Sequence, residues 1–264
     1  MILENLCQEV ILIAKQAGSF IARERVNFDL RSIEIKGKAN FVTYVDKKAE
    51  EIIVEGLRKL LPESGFITEE GTATNSGEKY RWVIDPLDGT TNFIHGLPPY
   101  AVSIGLLEGE EIVLGVVYEI SRSECFYAWK GSKAMLDGKE IRVSEAATTN
   151  QALIITGFPY GVVKNTDKFI SAIKYFMENS HGIRRLGSAA TDLSYVAAGR
   201  SEAFWETGLQ SWDVAAGAII LRQAGGRVTD FRGNEKFLFT GEVIATNGNY
   251  YKEFQSIIEK IYFS

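Results

Sequence analysis

The chain has 264 residues, 45% of them hydrophobic and 24% charged, with a net charge of −5, the balance of an ordinary soluble globular protein large enough to need no disulfide or metal staple. The acidic balance disfavours nucleic acid and anionic membrane as direct partners, no apolar run reaches the ~18 residues of a membrane span, and residues 1–6 lack the basic start of a signal peptide, so a cytoplasmic protein is expected. Two cysteines, Cys7 and Cys125, show no CxxC spacing and exclude a disulfide framework or thiolate zinc site, and two histidines, His95 and His181, supply little for histidine-based catalysis.

Residues 2–25 read as an amphipathic helix, with Leu6, Val10, Ile13, Ala17 and Phe20 at helical spacing. Residues 29–42 are less regular, and Lys36-Gly37-Lys38 reads either as a solvated hairpin tip or as a basic lid over an anionic substrate. Thr43 and Asp46 fit the N-cap and N3 of a capping box. A helix follows to about Leu61, carried by Ala49, Ile52, Ile53, Leu57 and Leu60 and stopped by Pro62 and Gly65. Residues 65–68 form a short strand ending at Glu69-Glu70. The apolar run Trp82-Val83-Ile84 is a second strand, predicted to stop at Asp85 and Pro86 because proline cannot donate to a sheet ladder. Runs at 100–107, 111–119 and 124–130 predict an antiparallel meander, followed by a hairpin turning at Asp137-Gly138. From about residue 150, strand-like and helical segments alternate, at 152–156, 165–179, 182–186, 188–198, 202–206, 211–224, 226–230, 243–246 and 249–261, which reads as α/β texture. No linker divides the chain, so one domain is expected, with lobes at about 1–148 and 149–264 sharing a cleft.

Residues 82–93 carry the most distinctive chemistry. Two carboxylates at a strand end, Asp85 and Asp88, suit a hard divalent cation such as Mg2+, which takes oxygen ligands. The turn Gly89-Thr90-Thr91-Asn92, if it opens a helix, can hold a phosphate on its N–H groups. The competing reading is an ordinary Asp-Pro, Asp-Gly surface turn. Further acids stand at element ends: the Glu69-Glu70 pair, Glu206 after a strand, and Asp213 in the first turn of a helix built from small residues. Each has a plain explanation as a solvated strand end or a complement to the helix dipole. His95 lies near the segment but does not suit a site built on oxygen ligands, and His181 has no supporting context.

The stretch Asp85-Pro86-Leu87-Asp88-Gly89-Thr90-Thr91-Asn92-Phe93 resembles the first signature of the inositol monophosphatase family, and Trp212-Asp213-Val214-Ala215-Ala216-Gly217 with Gly225-Gly226 resembles the second. Glu69-Glu70 ahead of the first signature, and Val42-Thr43 with Asp46 after a lysine loop, also match. The resemblance runs in order over nearly the whole chain and is greatest to the bacterial inositol-1-monophosphatases. It implies an α+β or α/β fold, a layered α-β-α-β-α sandwich similar to fructose-1,6-bisphosphatase. It also implies Mg2+-dependent hydrolysis of a phosphate monoester, first of all myo-inositol-1-phosphate. In the site so implied, Glu69, Asp85, Asp88 and the Leu87 carbonyl hold one Mg2+, Asp85, Asp88 and Asp213 a second, and Glu69 also a weaker third. Gly89 and Thr90 bind the phosphate, Glu69 and the Thr90–Asp46 pair activate water, Glu206 binds substrate hydroxyls and Lys36 is the mobile-loop lysine. Lithium inhibition at the second ion and a homodimer are family expectations. A sugar bisphosphatase or nucleotide 3′-phosphatase with the same metal core is the alternative, with Arg184 and Arg185 meeting an extra phosphate or decorating a dimer surface. The alternative of another class is an interaction partner of transcription or RNA-processing machinery, as some bacterial relatives are, with the phosphatase site retained.

Overall fold

The computed structural model describes residues 3–26, 28, 34–37, 40–42, 44–73, 79–158 and 166–263. Helix α1 (Leu3–Val26) buries Leu6, Val10, Ala14, Ala17 and Ile21 along one stripe, as a helix lying on a core must. Strands β1 (Glu34–Gly37) and β2 (Asn40–Val42) pair antiparallel. Lys36 is in β1; its side chain, Lys38 and Thr43 lie outside the described residues, and with them the expected lid and the threonine of the predicted capping box. Helix α2 (Tyr44–Leu60) buries Val45, Ala49, Ile53 and Leu57, together with the acids Asp46 and Glu50.

The first sheet has seven strands in chain order: β3 (Gly65–Thr68), β4 (Tyr80–Asp88), β5 (Ala101–Glu108), β6 (Glu111–Glu119), β7 (Glu124–Trp129), β8 (Met135–Leu136) and β9 (Lys139–Glu140). In this sheet β3 and β4 run parallel; β5, β6 and β7 are the predicted meander and β8–β9 the predicted hairpin, while β4 pairs antiparallel with β5 and β8 with β7. One expectation is corrected. Strand β4 does not stop before Pro86 but continues to Asp88. Its register on β5 passes from Asp85 opposite Ser103 to Asp88 opposite Ala101, three residues against two. The extra residue is a bulge, where a missing proline N–H costs no ladder bond. Helix α3 (Thr90–His95) follows at once.

The second half alternates as predicted: β10 (Leu153–Thr156), α4 (Thr166–Asn179), β11 (Gly182–Arg184), α5 (Ala189–Ala197), β12 (Ala203–Thr207), α6 (Ser211–Gln223), β13 (Arg227–Thr229), β14 (Glu242–Thr246) and α7 (Tyr251–Phe263). Its five strands form a mixed sheet in the order β11-β10-β12-β14-β13. Helices α1 and α2 cover one face of the first sheet, α5 and α6 lie between the two sheets, and α4 and α7 cover the outer face of the second. Among the described residues three apolar cores fill this stack: Ile53, Trp82 and Phe93 in the first, Leu193, Phe204 and Ile219 in the middle, Phe176, Trp205 and Phe254 in the third. The result is the layered α-β-α-β-α sandwich.

The middle layer sits unusually close to the first sheet. A Cβ at Gly115 of β6 would come within 2.5 Å of the Ala216 carbonyl oxygen, and one at Gly105 of β5 within 2.9 Å of the Ala215 Cβ. Glycine in the strands and alanine on α6 together bring the start of that helix down onto β4 and β5.

Candidate active site

The β4 bulge has a chemical consequence. In a regular strand, residues three apart point to opposite faces, so Asp85 and Asp88 would be separated by the sheet. The inserted residue turns both to one side. Opposite Asp85 on β5, the Ser103 hydroxyl donates to the Trp212 carbonyl at 3.1 Å, which ties the start of α6 to the same spot. Asp213 caps its own helix, accepting the Gln210 N–H at 2.7 Å, as the dipole reading anticipates, and also turns to the aspartates. One carboxylate oxygen from each of Asp85, Asp88 and Asp213 lies within 4.8 Å of the others. Asp85 accepts the Leu87 N–H at 2.9 Å. Asp88 is held from α5, accepting the Ser188 hydroxyl and the Ala190 N–H, both at 2.7 Å.

Crowding and burial show in the acidities. Burial, then the charge of Asp213, pushes Glu69 up to about 8. Burial and the Asp88 charge push Asp213 up to about 7. Burial raises Asp88 to about 6 against the opposing hydrogen bonds from Ser188 and Ala190, and burial with its acidic neighbours holds Asp85 well above the usual carboxylate range. Such a cluster resists ionisation unless positive charge enters it. Its donors are all oxygen, the set that Mg2+ and similar hard cations take, so the residues present fit a divalent metal.

Above the cluster, Gly89 adopts a left-handed conformation, φ 95°, and a Cβ there would lie 3.0 Å from both the Gly187 and Pro99 carbonyl oxygens. Only glycine satisfies both constraints. The Thr90 hydroxyl lies 3.0 Å from the Asp46 carboxylate and 3.0 Å from the Leu87 carbonyl, and can donate to either. Asn92 donates to the carbonyls of Pro99 at 2.8 Å and Leu186 at 2.7 Å, fastening this turn to the second half of the chain.

Glu69, Asp88, Gly89, Thr90, Glu206 and Asp213 all line one cavity of about 450 Å³. In the same cavity, Glu206 of β12 packs over Gly157, where a Cβ would fall 2.0 Å from the carboxylate. Arg185 lies over the Phe158 ring at 5.3 Å. Asp192 of α5 is buried with no hydrogen-bond partner at Oδ1. Burial, followed by neighbouring acids, raises both Glu206 and Asp192 well above the usual range, and Arg185 opposes the shift in each.

Glu69, Asp85, Leu87, Asp88, Gly89, Thr90, Glu206 and Asp213 are thus brought to one place, with Asp46 behind Thr90. His95 and His181 are exposed and do not line the cavity. Arg184 and Arg185 are both exposed, and Arg185 also lines the cavity, which Arg184 does not. Sequence reasoning missed Glu50, Ser188 and Asp192. Ser188 was legible as an N-cap before Ala189-Ala190, and Asp192 as a lone acid inside an otherwise apolar helix. Glu50 carries no such signal.

A five-layer sandwich with a carboxylate cluster beside a glycine turn defines a class of layered α+β proteins whose acidic triad could hold a metal ion. The chain belongs to the inositol monophosphatase family, whose family model matches residues 3–263. Nus factor SuhB of Pseudomonas aeruginosa is 42% identical over 251 residues, 93% of this chain and 93% of that protein. An inositol-1-monophosphatase of Mesorhizobium japonicum is 39% identical over 243 residues, 92% of this chain and 91% of that protein. The crystal structure of extragenic suppressor protein SuhB from Bartonella henselae superposes with a TM-score of 0.91 at 37% identity, covering 97% of this chain and 99% of that one.

Proposed function

We propose that the protein is a Mg2+-dependent phosphate monoester hydrolase acting on myo-inositol-1-phosphate. The observation that carries this reading is that the Asp85, Asp88 and Asp213 oxygens lie within 4.8 Å of one another, and that Asp88 and Asp213 line one cavity with the Gly89-Thr90 turn. Glu69, Asp85, Asp88 and the Leu87 carbonyl would hold one cation and Asp85, Asp88 and Asp213 a second, with Glu69 available to a third. Bound there, the cations would supply positive charge against the phosphoryl oxygens and the departing alkoxide. Backbone N–H groups of Gly89 and Thr90 receive the phosphate. The Thr90 hydroxyl, donating its hydrogen to Asp46, keeps a lone pair free to accept a hydrogen bond from the attacking water. Asp46 then takes the displaced proton through that hydroxyl, with Glu69 as the second acceptor. Glu206 accepts hydroxyls of the alcohol, and the Lys36 lid answers the phosphate charge.

The alcohol end favours a neutral polyol over a second phosphate. Among the described residues Arg185 is the cation that lines the cavity, and the carboxyls of Glu206 and Asp192 share its field, while Arg184 does not line the cavity. Phosphate release in Mg2+, with and without Li+, from inositol-1-phosphate, fructose-1,6-bisphosphate and 3′-phosphoadenosine-5′-phosphate tests the reading. Inositol-1-phosphate should be hydrolysed best, Li+ should inhibit, and Asp213→Asn should remove turnover while the circular dichroism spectrum is unchanged. Release from none of the three would overturn the assignment, and a preference for either bisphosphate would replace the substrate.

The relatives named as Nus factors favour a second role, as a partner of the transcription machinery, acting as a cytoplasmic homodimer. Among the described residues no helix is long and apolar enough to cross a membrane. If the roles are separate, Asp213→Asn retains any such association.

A further inference from the structure

Glu50 lies one helical turn beyond Asp46 on α2, so the two acids share a face. It is fully buried. Its Oε2 accepts the Glu70 N–H at 2.8 Å, and its Oε1 accepts both the N–H and the hydroxyl of Thr72, each at 2.8 Å. Both oxygens are therefore committed to one short stretch of backbone, the stretch that begins where Glu69 ends. The neighbouring backbone bond, Glu69 N–H to the Ile84 carbonyl, is long at 3.3 Å. Asp46, one turn earlier, reaches Thr90 at 3.0 Å. A single rigid helix thus holds two walls of the cavity from behind. Packing alone does not call for this arrangement, because an apolar side chain of the same volume fills a core without the desolvation of a carboxylate.

We propose that Glu50 is a positioning residue: by fixing the backbone at Glu70 and Thr72 it sets the Glu69 carboxylate in place to receive a divalent cation. The inference rests on the reading of Glu69 as a cation ligand. Glu50→Gln keeps the volume but turns one acceptor into a donor facing an N–H. Thr72→Val removes one of the three bonds and leaves the charge.

Two measurements read the effect without substrate: hydrogen exchange of residues 70–72 in chelator-treated protein, and Mn2+ binding followed by electron paramagnetic resonance. With the fold intact by circular dichroism, Glu50→Gln should speed exchange at 70–72 and weaken Mn2+ binding by about tenfold or more, the usual consequence of losing a residue that orients a ligand. Thr72→Val should do the same to a smaller degree. A folded Glu50→Gln protein with wild-type exchange and wild-type Mn2+ affinity would overturn the role. If Glu50→Gln does not fold, Thr72→Val decides by the same two readings. Wild-type protein that binds Mn2+ but releases no phosphate removes the proposed activity and leaves the Glu50 comparison standing; wild-type protein that binds no Mn2+ sinks both.

Discussion

At Gly157 a missing side chain decides where a charged one can go. The carboxylate of Glu206 occupies the space a Cβ would need, 2.0 Å away. Gly157→Ala therefore displaces the end of a flexible side chain rather than backbone, and the fold should survive. The expected result is a KM for inositol-1-phosphate raised about tenfold, the value of roughly one hydrogen bond, with kcat little changed. Mn2+ binding should stay near that of the wild type, because Glu206 is not one of the three carboxylates, Asp85, Asp88 and Asp213, whose oxygens converge. Equal KM values in the two proteins would show that Glu206 makes no contact with the alcohol. At this scale the sequence was informative where acids sit among turn-forming or small residues, as Asp85, Asp88 and Asp213 do, since those neighbours have little reason to surround a solvated carboxylate. It was uninformative at Glu50, which in the sequence is one more acid on an amphipathic helix. Only the placement of residues 70–72 against that helix shows that it is buried.

The elements that matter most are β4 and α6. Regular periodicity made the meander, the alternating second half and the small-residue helix legible, because each repeats a physical preference several times over. A bulge occurs once and has no period. Pro86 therefore read as a stop, when the bulge removed the need for its N–H and the strand carried on to Asp88. The approach of α6 to the sheet was legible from Ala215, Ala216, Gly217 and Ala218, but its partners Gly105 and Gly115 were not, since a strand glycine does not announce what lies above it. Gly115→Ala would set a Cβ 2.5 Å from the Ala216 carbonyl oxygen. This is backbone that can yield only if the helix lifts. Overpacking of this kind costs about 1–3 kcal/mol, measurable by urea unfolding. Because Asp213 rides on the same helix, Mn2+ binding should weaken in parallel. Gly109→Ala is the comparison: it has a positive φ of 63° but nothing within 4 Å, so it should cost about 1 kcal/mol in backbone strain and leave Mn2+ binding alone. Equal Mn2+ affinities in the two variants would show that the depth of α6 on the sheet does not set the position of Asp213.

Across the whole molecule, the cluster draws on layers that otherwise pack on separate cores: β4 from the first sheet, α6 and the start of α5 from the middle layer, with Glu206 from the second sheet across the cavity. Its electrostatics should therefore appear in global stability. Asp88 at about 6, Asp213 at about 7 and Glu69 at about 8 in the fold all lie above the ~4 of carboxyls in an unfolded chain. Below pH ~4 both states hold these protons and the groups cost nothing. Between pH ~4 and ~8 the folded metal-free chain keeps protons that the unfolded chain has released, so its stability falls as pH rises through that window. A divalent cation competes for the same oxygens and expels those protons, which makes its binding tighter at higher pH and its stabilisation larger there. Chelator-treated protein should accordingly melt at a lower temperature at pH 8 than at pH 5, while the rise in Tm on adding Mn2+ should be greater at pH 8. Asp213→Asn removes one of the crowded charges and should flatten both trends. A metal-free Tm that is level or climbing from pH 5 to pH 8 would mean that water or a nearby cation already relieves the cluster, and that the four carboxyls do not act on one another as their spacing requires.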